Sequence, residues 1–109
     1  MSKQTPPDTY LRIRQRHQTL AKAVEDLGKT AKNAGPVDEK TAQLIQLAAA
    51  TTLRSEGAVH SHTRRALEAG ADREEIQHAI ILLTSTVGFP TVVAALSWAD
   101  DVIDDKASS

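Results

Sequence analysis

The sequence predicts an all-α domain, and three observations lead to that prediction. Apolar residues recur at every third or fourth position, and no stretch shows the strict alternation of a half-buried β-strand. Capping residues and Gly or Pro stops separate the helical stretches. The apolar residues are mainly Ala, Leu, Ile and Val, while only 3% of the chain is aromatic. Small aliphatic side chains favour closely packed helices, so we expect a bundle of five to six helices.

The 109 residues suit a single domain. Residues 1–8 are predicted to form a flexible leader, because Pro6 and Pro7 disfavour a helix there. The all-α domain is expected over residues 9–105, with a flexible C-terminus at residues 106–109. A helix-rich domain of this size often gains stability by self-association, so an oligomer is expected.

The first half of the domain is predicted to hold two helices. The first begins at Asp8 or Thr9 and ends before Pro36, with Gly35 as its C-cap. It carries one apolar stripe at helical spacing, formed by Tyr10, Ile13, His17, Leu20, Val24 and Leu27. The second helix follows the cap residue Asp38 and contains "LIQLAAATTL", which is apolar nearly all round. We therefore expect it to be the buried central helix.

The second half is predicted to hold three further helices. One runs from Ser55 or Glu56 to Ala69 and is ended by Gly70. The next begins after Asp72, with Glu75 three residues later in a capping-box pattern, and buries a face of "IQHAIILLTSTV". After a turn at residues 88–90, an amphipathic last helix carries Trp98, which we interpret as a core or subunit-contact residue.

Composition and charge exclude several classes of function. With 13 basic and 14 acidic residues the formal net charge is −1, so nucleic acid is not an expected partner. The absence of cysteine excludes disulfides, thiolate metal ligands and thiol redox chemistry. No apolar run is long enough for a membrane span, and "MSKQTPPDTY" has no signal-peptide core, so a cytoplasmic protein without a membrane partner is expected.

The polar stretch "SEGAVHSH" at residues 55–62 concentrates groups that could do chemistry. At about 100° per residue, His62 shares a helix face with Ser55 and with several small residues, which leave space for a pocket or a close helix contact. Those small residues are Ala58, Val59, Ala66 and Ala69. Histidine is the side chain best suited to proton transfer near neutral pH. His62 is therefore the candidate functional residue, the alternative being a histidine packed beside alanines.

His60 and Glu56 are predicted to form a separate pair. His60 lies nearly opposite His62 on the helix, and Glu56 is four residues before His60, within reach along the surface. Two histidines at i and i+2 point apart, whereas zinc-binding helices use i and i+4, so no metal site is predicted. A site joining this pair to His78 remains an alternative to surface or interface roles for the three residues.

Three segments resemble the carboxymuconolactone decarboxylase / alkylhydroperoxidase D-like family. "HTRRALEAGADREEI" resembles its signature, "AGPVDEKTAQLIQLAAA" is similar to its upstream segment, and "VGFPTVVAALSWADDVI" is similar to its last turn and helix. The resemblance covers roughly residues 20–105. It implies an alkylhydroperoxidase D-like helical bundle, subunits assembled into trimers or hexamers, and an active site beside the signature helix, often near a subunit interface.

The departures from the family pattern decide which branch is compatible with this chain. The positions that match the two cysteines of the redox branch are Ser55 and Ala58, and the position that matches its glutamate is Gln43. Only His62 is retained. A serine hydroxyl is barely ionised at neutral pH and forms no disulfide, so thiol peroxidase activity is not expected whatever label the family attracts.

The decarboxylase branch also lacks the cysteine pair, and the resemblance to it implies that His62 is a general acid/base. Arg65, about 60° from His62 on the helix, is the best-placed anchor for a substrate carboxylate, with Arg54 and Arg64 as other candidates and a solvated surface arginine as the alternative. Gln43 and Ser55 are assigned to substrate binding, although Ser55 is favoured as a helix cap.

Three functions follow from these interpretations. The first is a lyase that needs no cofactor and acts on a small carboxylated substrate through His62. The second is a non-catalytic helical oligomer or small-ligand binding module that has lost the redox cysteines. The third is a protein that carries the alkylhydroperoxidase label through its family alone, with no thiol activity expected.

Overall fold

The computed structural model describes the backbone of residues 8–108 and the side chains of residues 9–105. Its regular structure in this range is entirely helical: α1 (Asp8–Arg16), α2 (Gln18–Lys32), α3 (Glu39–Thr52), α4 (Glu56–Glu68), α5 (Arg73–Ile81), α6 (Thr84–Val87) and α7 (Phe89–Ser108). Six of these helices have nine residues or more and α6 is a single turn, which confirms the predicted class. Within the described residues no helix is both long and apolar enough to cross a membrane.

The two predicted flexible ends fall largely outside the described residues. Of the predicted leader at residues 1–8, only the backbone of Asp8 is described, and it begins α1. Of the predicted C-terminus at residues 106–109, the backbone continues α7 through Ser108, and Ser109 lies outside. The flexibility of both ends therefore stays a prediction.

Helices α3 to α7, residues 39–108, form a bundle around one hydrophobic core. Helix α4 packs against α3 on one side and α7 on the other, and α5 also contacts α3 and α7. The largest apolar side chains removed from solvent are Leu47, Ile76, Ile80, Val59, Val92 and Val102. Fully buried alanines at 66, 95 and 99 lie between them and allow the helix axes to approach closely. Burying each large aliphatic side chain contributes about 1.5–3 kcal/mol to stability.

Helix α3 is central in its contacts but is not buried all round. It packs against α4, α5 and α7, yet Ile45 is 56% exposed and the cap residue Leu53 is 78% exposed. The expectation of a fully buried helix is therefore wrong for its outer face, because no other segment of the described chain covers that face. Its inner face instead carries two fully buried polar side chains, Gln43 and Thr51.

The predicted first helix is divided in two, and its stripe is uncovered. His17 has a non-helical backbone (φ −130°, ψ 62°) and separates α1 from α2, which pack mainly against each other. We call residues 8–32, which form these two helices, the arm. Its apolar side chains remain exposed: Leu20 by 56%, Val24 by 59% and Leu27 by 67%. Periodicity predicted helical structure here but not the break at His17, and it gave no information on what covers the apolar stripe.

The three predicted N-caps are confirmed, and they set where the helices of the bundle begin. The predicted C-cap at Gly35 is wrong, because α2 already ends at Lys32 with Asn33 as its C-cap. The Asp38 carboxylate accepts from the Thr41 amide at 2.8 Å, and Ser55 Oγ accepts from the Ala58 amide at 3.3 Å. Asp72 and the residue three positions later form a capping box, with bonds of 2.8 and 3.1 Å. Gly70, at φ +99°, occupies the left-handed region that lets the chain turn from α4 into α5.

Candidate functional site

The site begins with the packing of α3 against α4, the most extensive helix contact in the bundle. This packing brings together two residues that are 19 positions apart in the sequence. His62 Nδ1 lies 2.9 Å from Gln43 Oε1, at hydrogen-bonding distance. Gln43 is fully buried and His62 is partly buried, so the imidazole is supported from the core side and open on the other.

A chain of hydrogen bonds continues from Gln43 to the arm. Gln43 Nε2 donates to Glu39 Oε1 at 3.1 Å, one turn earlier on α3. The same carboxylate oxygen accepts from Lys32 Nζ at 3.0 Å. Lys32 is the last residue of α2, so this contact fastens the end of the arm to the beginning of α3. Lys32, Glu39, Gln43 and His62 are thus connected in series.

Burial and charge act together on the titration of His62. Partial burial lowers the pKa of His62 below its usual value, and the positive charges of Arg65 and Lys32 lower it further. The imidazole is therefore mainly neutral at pH 7 and able to accept a proton. Hydrogen bonds from Lys32 and Gln43 hold the pKa of Glu39 below its usual value, so that carboxylate is ionised at the same pH.

A cavity of about 420 Å³ lies beside His62, between the arm and the bundle. Its size suits a small molecule. The arm contributes one wall and the bundle the other; the lining residues are Tyr10, Val24, Glu25, Gly28, Lys29, Lys32, Gln46, His62 and Arg65. Three of these side chains are cationic and one is anionic at neutral pH, so the cavity favours a negatively charged ligand.

Another hollow, of about 450 Å³, lacks this combination of groups. It lies between α3 and α5, and apolar side chains form most of its lining, together with Glu75 and His78. Glu75 is already bound by Lys40 at 2.8 Å. The cavity beside His62 is the better candidate because it joins a partly buried base to several cations.

The structure brings three of the four predicted site residues together. His62 and Arg65 line the cavity, and Gln43 holds His62 from behind without being part of the lining. Ser55 does not line it. Its hydroxyl caps α4, which is the alternative that the sequence favoured.

The other two arginines are not part of this lining. Arg54 lies at the opposite end of α4, with a left-handed backbone (φ +53°), and its Nη1 donates to Thr91 Oγ1 at 2.7 Å. Arg64 precedes Arg65 by one position and does not line the cavity. Among the three candidate anchors, Arg65 is the one placed beside the imidazole.

Glu56 and His60 form the separate pair that the helix angles predicted. Glu56 Oε2 lies 3.8 Å from His60 Nε2, and within the described side chains that nitrogen is buried without a hydrogen-bond partner. His78 is exposed on α5 and belongs to the apolar hollow. Among residues 9–105 no three His, Cys, Asp or Glu side chains are placed to hold a metal ion.

Sequence reasoning missed the members of the site that come from the arm and from the first turn of α3. The spacing of Glu39 and Gln43, four apart, was a usable signal, since such residues are neighbours on a helix. Lys32 and Tyr10 left no such signal, because their positions depend on how the turn at residues 33–38 and the break at His17 direct the chain.

Comparison with known proteins agrees with this fold. Residues 18–101 match the carboxymuconolactone decarboxylase family. The chain is similar to the uncharacterized protein MJ1511 of Methanocaldococcus jannaschii, with 29% identity over 106 residues, 97% of this chain and 99% of that protein. Its structure is similar to the crystal structure of apo-lpg0406, a carboxymuconolactone decarboxylase family protein from Legionella pneumophila, with a TM-score of 0.73, 23% identity, and coverage of 85% and 86% of the two chains. Because the family match spans most of the chain, this cysteine-free protein belongs to the carboxymuconolactone decarboxylase family.

Proposed function

We propose that this protein is a lyase that removes carbon dioxide from a small carboxylated substrate, with His62 as general acid/base. The observation that carries the proposal is a partly buried imidazole of lowered pKa that opens into a cationic cavity. A group of this kind can both accept and deliver a proton near neutral pH. No cofactor enters the proposed reaction.

The reaction divides between two groups of the cavity. When the bond between the substrate carbon and its carboxylate breaks, carbon dioxide leaves and the electron pair stays on that carbon. His62, which is mainly neutral at rest, takes up a proton from water and delivers it to that carbon, which completes the C–H bond and returns the imidazole to its neutral form. Its lowered pKa makes the imidazolium a stronger acid than an exposed histidine would be.

Arg65 binds a carboxylate of the substrate. This is either a second carboxylate that the reaction leaves in place or the reacting carboxylate before it leaves. It lies three residues after His62 on α4, so the two side chains share a helix face. A guanidinium can hold a carboxylate through two parallel hydrogen bonds, which fixes its orientation as well as its position. The remaining site residue, Gln43, acts on the substrate only through His62, since it does not reach the cavity.

The proposal is tested by release of carbon dioxide from carboxymuconolactone and related lactone acids. The His62→Ala variant is expected to lose about 100-fold or more of the turnover, the usual contribution of a positioned acid/base group. Arg65→Gln is expected to raise KM more than it lowers kcat. His78→Ala, which removes an exposed histidine away from the cavity, is the matched control and keeps wild-type turnover.

Two results would contradict the proposal: no turnover of any lactone acid, or turnover that His62→Ala leaves unchanged. Saturable binding of such acids without turnover, lost in Arg65→Gln, supports the small-ligand binding module instead. Peroxide consumption with a dithiol is not expected, because the chain contains no thiol to carry it.

We also propose that the protein assembles with copies of itself as a trimer or hexamer, with the arm in the interface. The apolar stripe of the arm is uncovered in the isolated chain, and residues 9–32 carry six Lys or Arg against two acidic side chains. Residues 89–105, in α7, carry four aspartates and no basic residue, and Arg73 of α5, which binds Asp100 and Asp104, offsets one of these four charges. Opposite charges of this kind favour contact between the arm of one copy and the bundle of another.

A further inference from the structure

We infer that Glu39 is a positioning residue that fixes the tautomer of His62. Acting through the Gln43 amide, it holds the imidazole with its proton on Nδ1, so that Nε2 is the nitrogen that exchanges protons with the cavity. The inference follows from the direction of three consecutive hydrogen bonds: Lys32 to Glu39, Gln43 to Glu39, and His62 to Gln43. Each bond allows only one assignment of donor and acceptor.

The first step fixes the orientation of the Gln43 amide. An ionised carboxylate can only accept hydrogen bonds, and Lys32 Nζ holds Glu39 in that ionised form from the other side. The amide atom 3.1 Å from Glu39 Oε1 must therefore be the NH₂ group of Gln43. Turning the amide over would place its carbonyl oxygen against the carboxylate, with two acceptors facing each other and no proton between them.

The second step fixes the proton on His62. With its NH₂ group directed to Glu39, Gln43 presents its carbonyl oxygen to His62 Nδ1 at 2.9 Å. A carbonyl oxygen cannot donate, so Nδ1 must carry the hydrogen. A neutral imidazole carries one N–H, which leaves the lone pair on Nε2. Since the Gln43 side chain is fully buried, water does not compete for either end of the amide.

The third step explains why Glu39 decides the outcome although it does not touch the imidazole. Without an acceptor on α3, the Gln43 amide is free to adopt either orientation, and each orientation selects a different tautomer of His62. The amide cannot itself pass a proton on as a carboxylate does, so the chain orients the imidazole and does not conduct protons. Lys32 extends the chain to the arm and keeps Glu39 ionised, while Glu39 itself is the acceptor that orients the amide.

The test is ¹⁵N NMR of the full chain with labelled histidine, at a pH above the pKa of His62, because the two ring nitrogens resonate differently when protonated and unprotonated. Wild-type protein is expected to show a protonated Nδ1 and an unprotonated Nε2. Glu39→Ala is expected to lose this single-tautomer signature and give a mixture. Glu39→Gln keeps a carbonyl acceptor beside Lys32 and is expected to restore it.

The matched control is Asp26→Ala, which removes another exposed carboxylate bound by a lysine, at 3.1 Å from Lys22, and one that does not line the cavity beside His62. It is expected to leave the His62 signals unchanged. A wild-type tautomer with the proton on Nε2 overturns the inference, and so does a Glu39→Ala spectrum identical to wild type in a variant with unchanged helix content. Because the readout involves no substrate, it is independent of whether the proposed lyase reaction is found.

Discussion

The arm and the bundle are built from the same kind of amphipathic helix, yet only the bundle has its apolar faces covered. In the bundle, Leu47, Ile76 and Ile80 are fully buried by neighbouring helices. In the arm, Leu20 and Leu27 lie at the same helical spacing and are mostly exposed. An apolar stripe thus determines that a segment is helical, but a second surface must exist before the stripe contributes to stability.

The position of the candidate site follows from this difference. The cavity beside His62 has one wall from the bundle and one from the arm. The His62 imidazole is therefore held by a well-packed scaffold, on α4, while the residues that close the cavity are on the less-supported part of the chain. Covering the arm with another copy of the protein would fix that second wall, which links the proposed assembly to the proposed activity.

The largest expected effect is the difference in stability lost when a leucine is shortened to alanine in the bundle and in the arm. Leu47→Ala, in the bundle, is expected to lower the free energy of unfolding by about 2–5 kcal/mol, because it leaves a cavity in the core. Leu20→Ala, in the arm, is expected to cost less than about 0.5 kcal/mol in the isolated subunit. Denaturant unfolding over a range of protein concentrations measures both.

Assembly changes the loss of stability expected for Leu20→Ala and can remove the difference between the arm and the bundle. If copies cover the arm, the Leu20→Ala loss grows with protein concentration, since association stabilises the folded chain by mass action. Equal losses in the two variants at every concentration would mean that the arm packs like the bundle, contrary to the structure.

The next effect concerns the assembly itself. Leu27→Asp places a charge in the apolar stripe of the arm and is expected to reduce the mass measured by light scattering from a trimer or hexamer to smaller species, because an interface does not bury an unpaired carboxylate. Gln18→Asp adds the same charge on the opposite side of α2 and should keep the wild-type mass. A monomeric wild type, or an unchanged mass for Leu27→Asp, contradicts the proposed role of the arm.

A smaller effect is expected from a helix cap of the bundle. Asp72→Ala removes the carboxylate that accepts from the Glu75 amide and is expected to cost about 1 kcal/mol of the free energy of unfolding. Asp72→Asn keeps a side-chain acceptor and should recover most of the loss. In the arm, His17 precedes α2 without a side-chain cap, so His17→Ala is the matched change and should cost less.

The smallest expected effect is a dependence of stability on pH. Since the pKa of His62 is lower in the folded chain than its ordinary value of about 6.5, the unfolded chain binds the proton more tightly. The contribution of His62 to the free energy of unfolding is fully present above a pH of about 6.5. It is lost as the pH falls toward the pKa of His62 in the folded chain. His62→Gln should remove this part of the dependence; a stability that increases on acidification through this window would contradict the assigned direction.

Local features of the fold could be predicted from the sequence, and non-local ones could not. The caps at Asp38, Ser55 and Asp72 depend on residues three positions away, so their pattern was sufficient. The helix break at His17 was missed because the apolar stripe continues through it without a Gly or Pro. The exposure of the stripe was also beyond prediction, since burial depends on which surfaces meet after folding.

The residues of the candidate site divide in the same way, into those that a local pattern predicts and those whose place depends on how the helices pack. His62 and Arg65 were placed on one face by their spacing, because both lie on α4 and the helix geometry fixes their angle. Gln43 was predicted to bind substrate directly, and that role is not supported by its buried position behind His62. Its contact with the imidazole comes from the packing of α3 on α4, which no local pattern in the sequence encodes.

The most direct test of the central claim, that His62 is a neutral base held between arm and bundle, is an NMR titration of its imidazole in wild type and Arg65→Gln. We expect a wild-type pKa below the ordinary value of about 6.5, because burial and nearby cations oppose protonation, and a higher value in Arg65→Gln, because one of those cations is gone. A wild-type pKa at or above the ordinary value, unaffected by Arg65→Gln, would place His62 in bulk solvent and contradict the account.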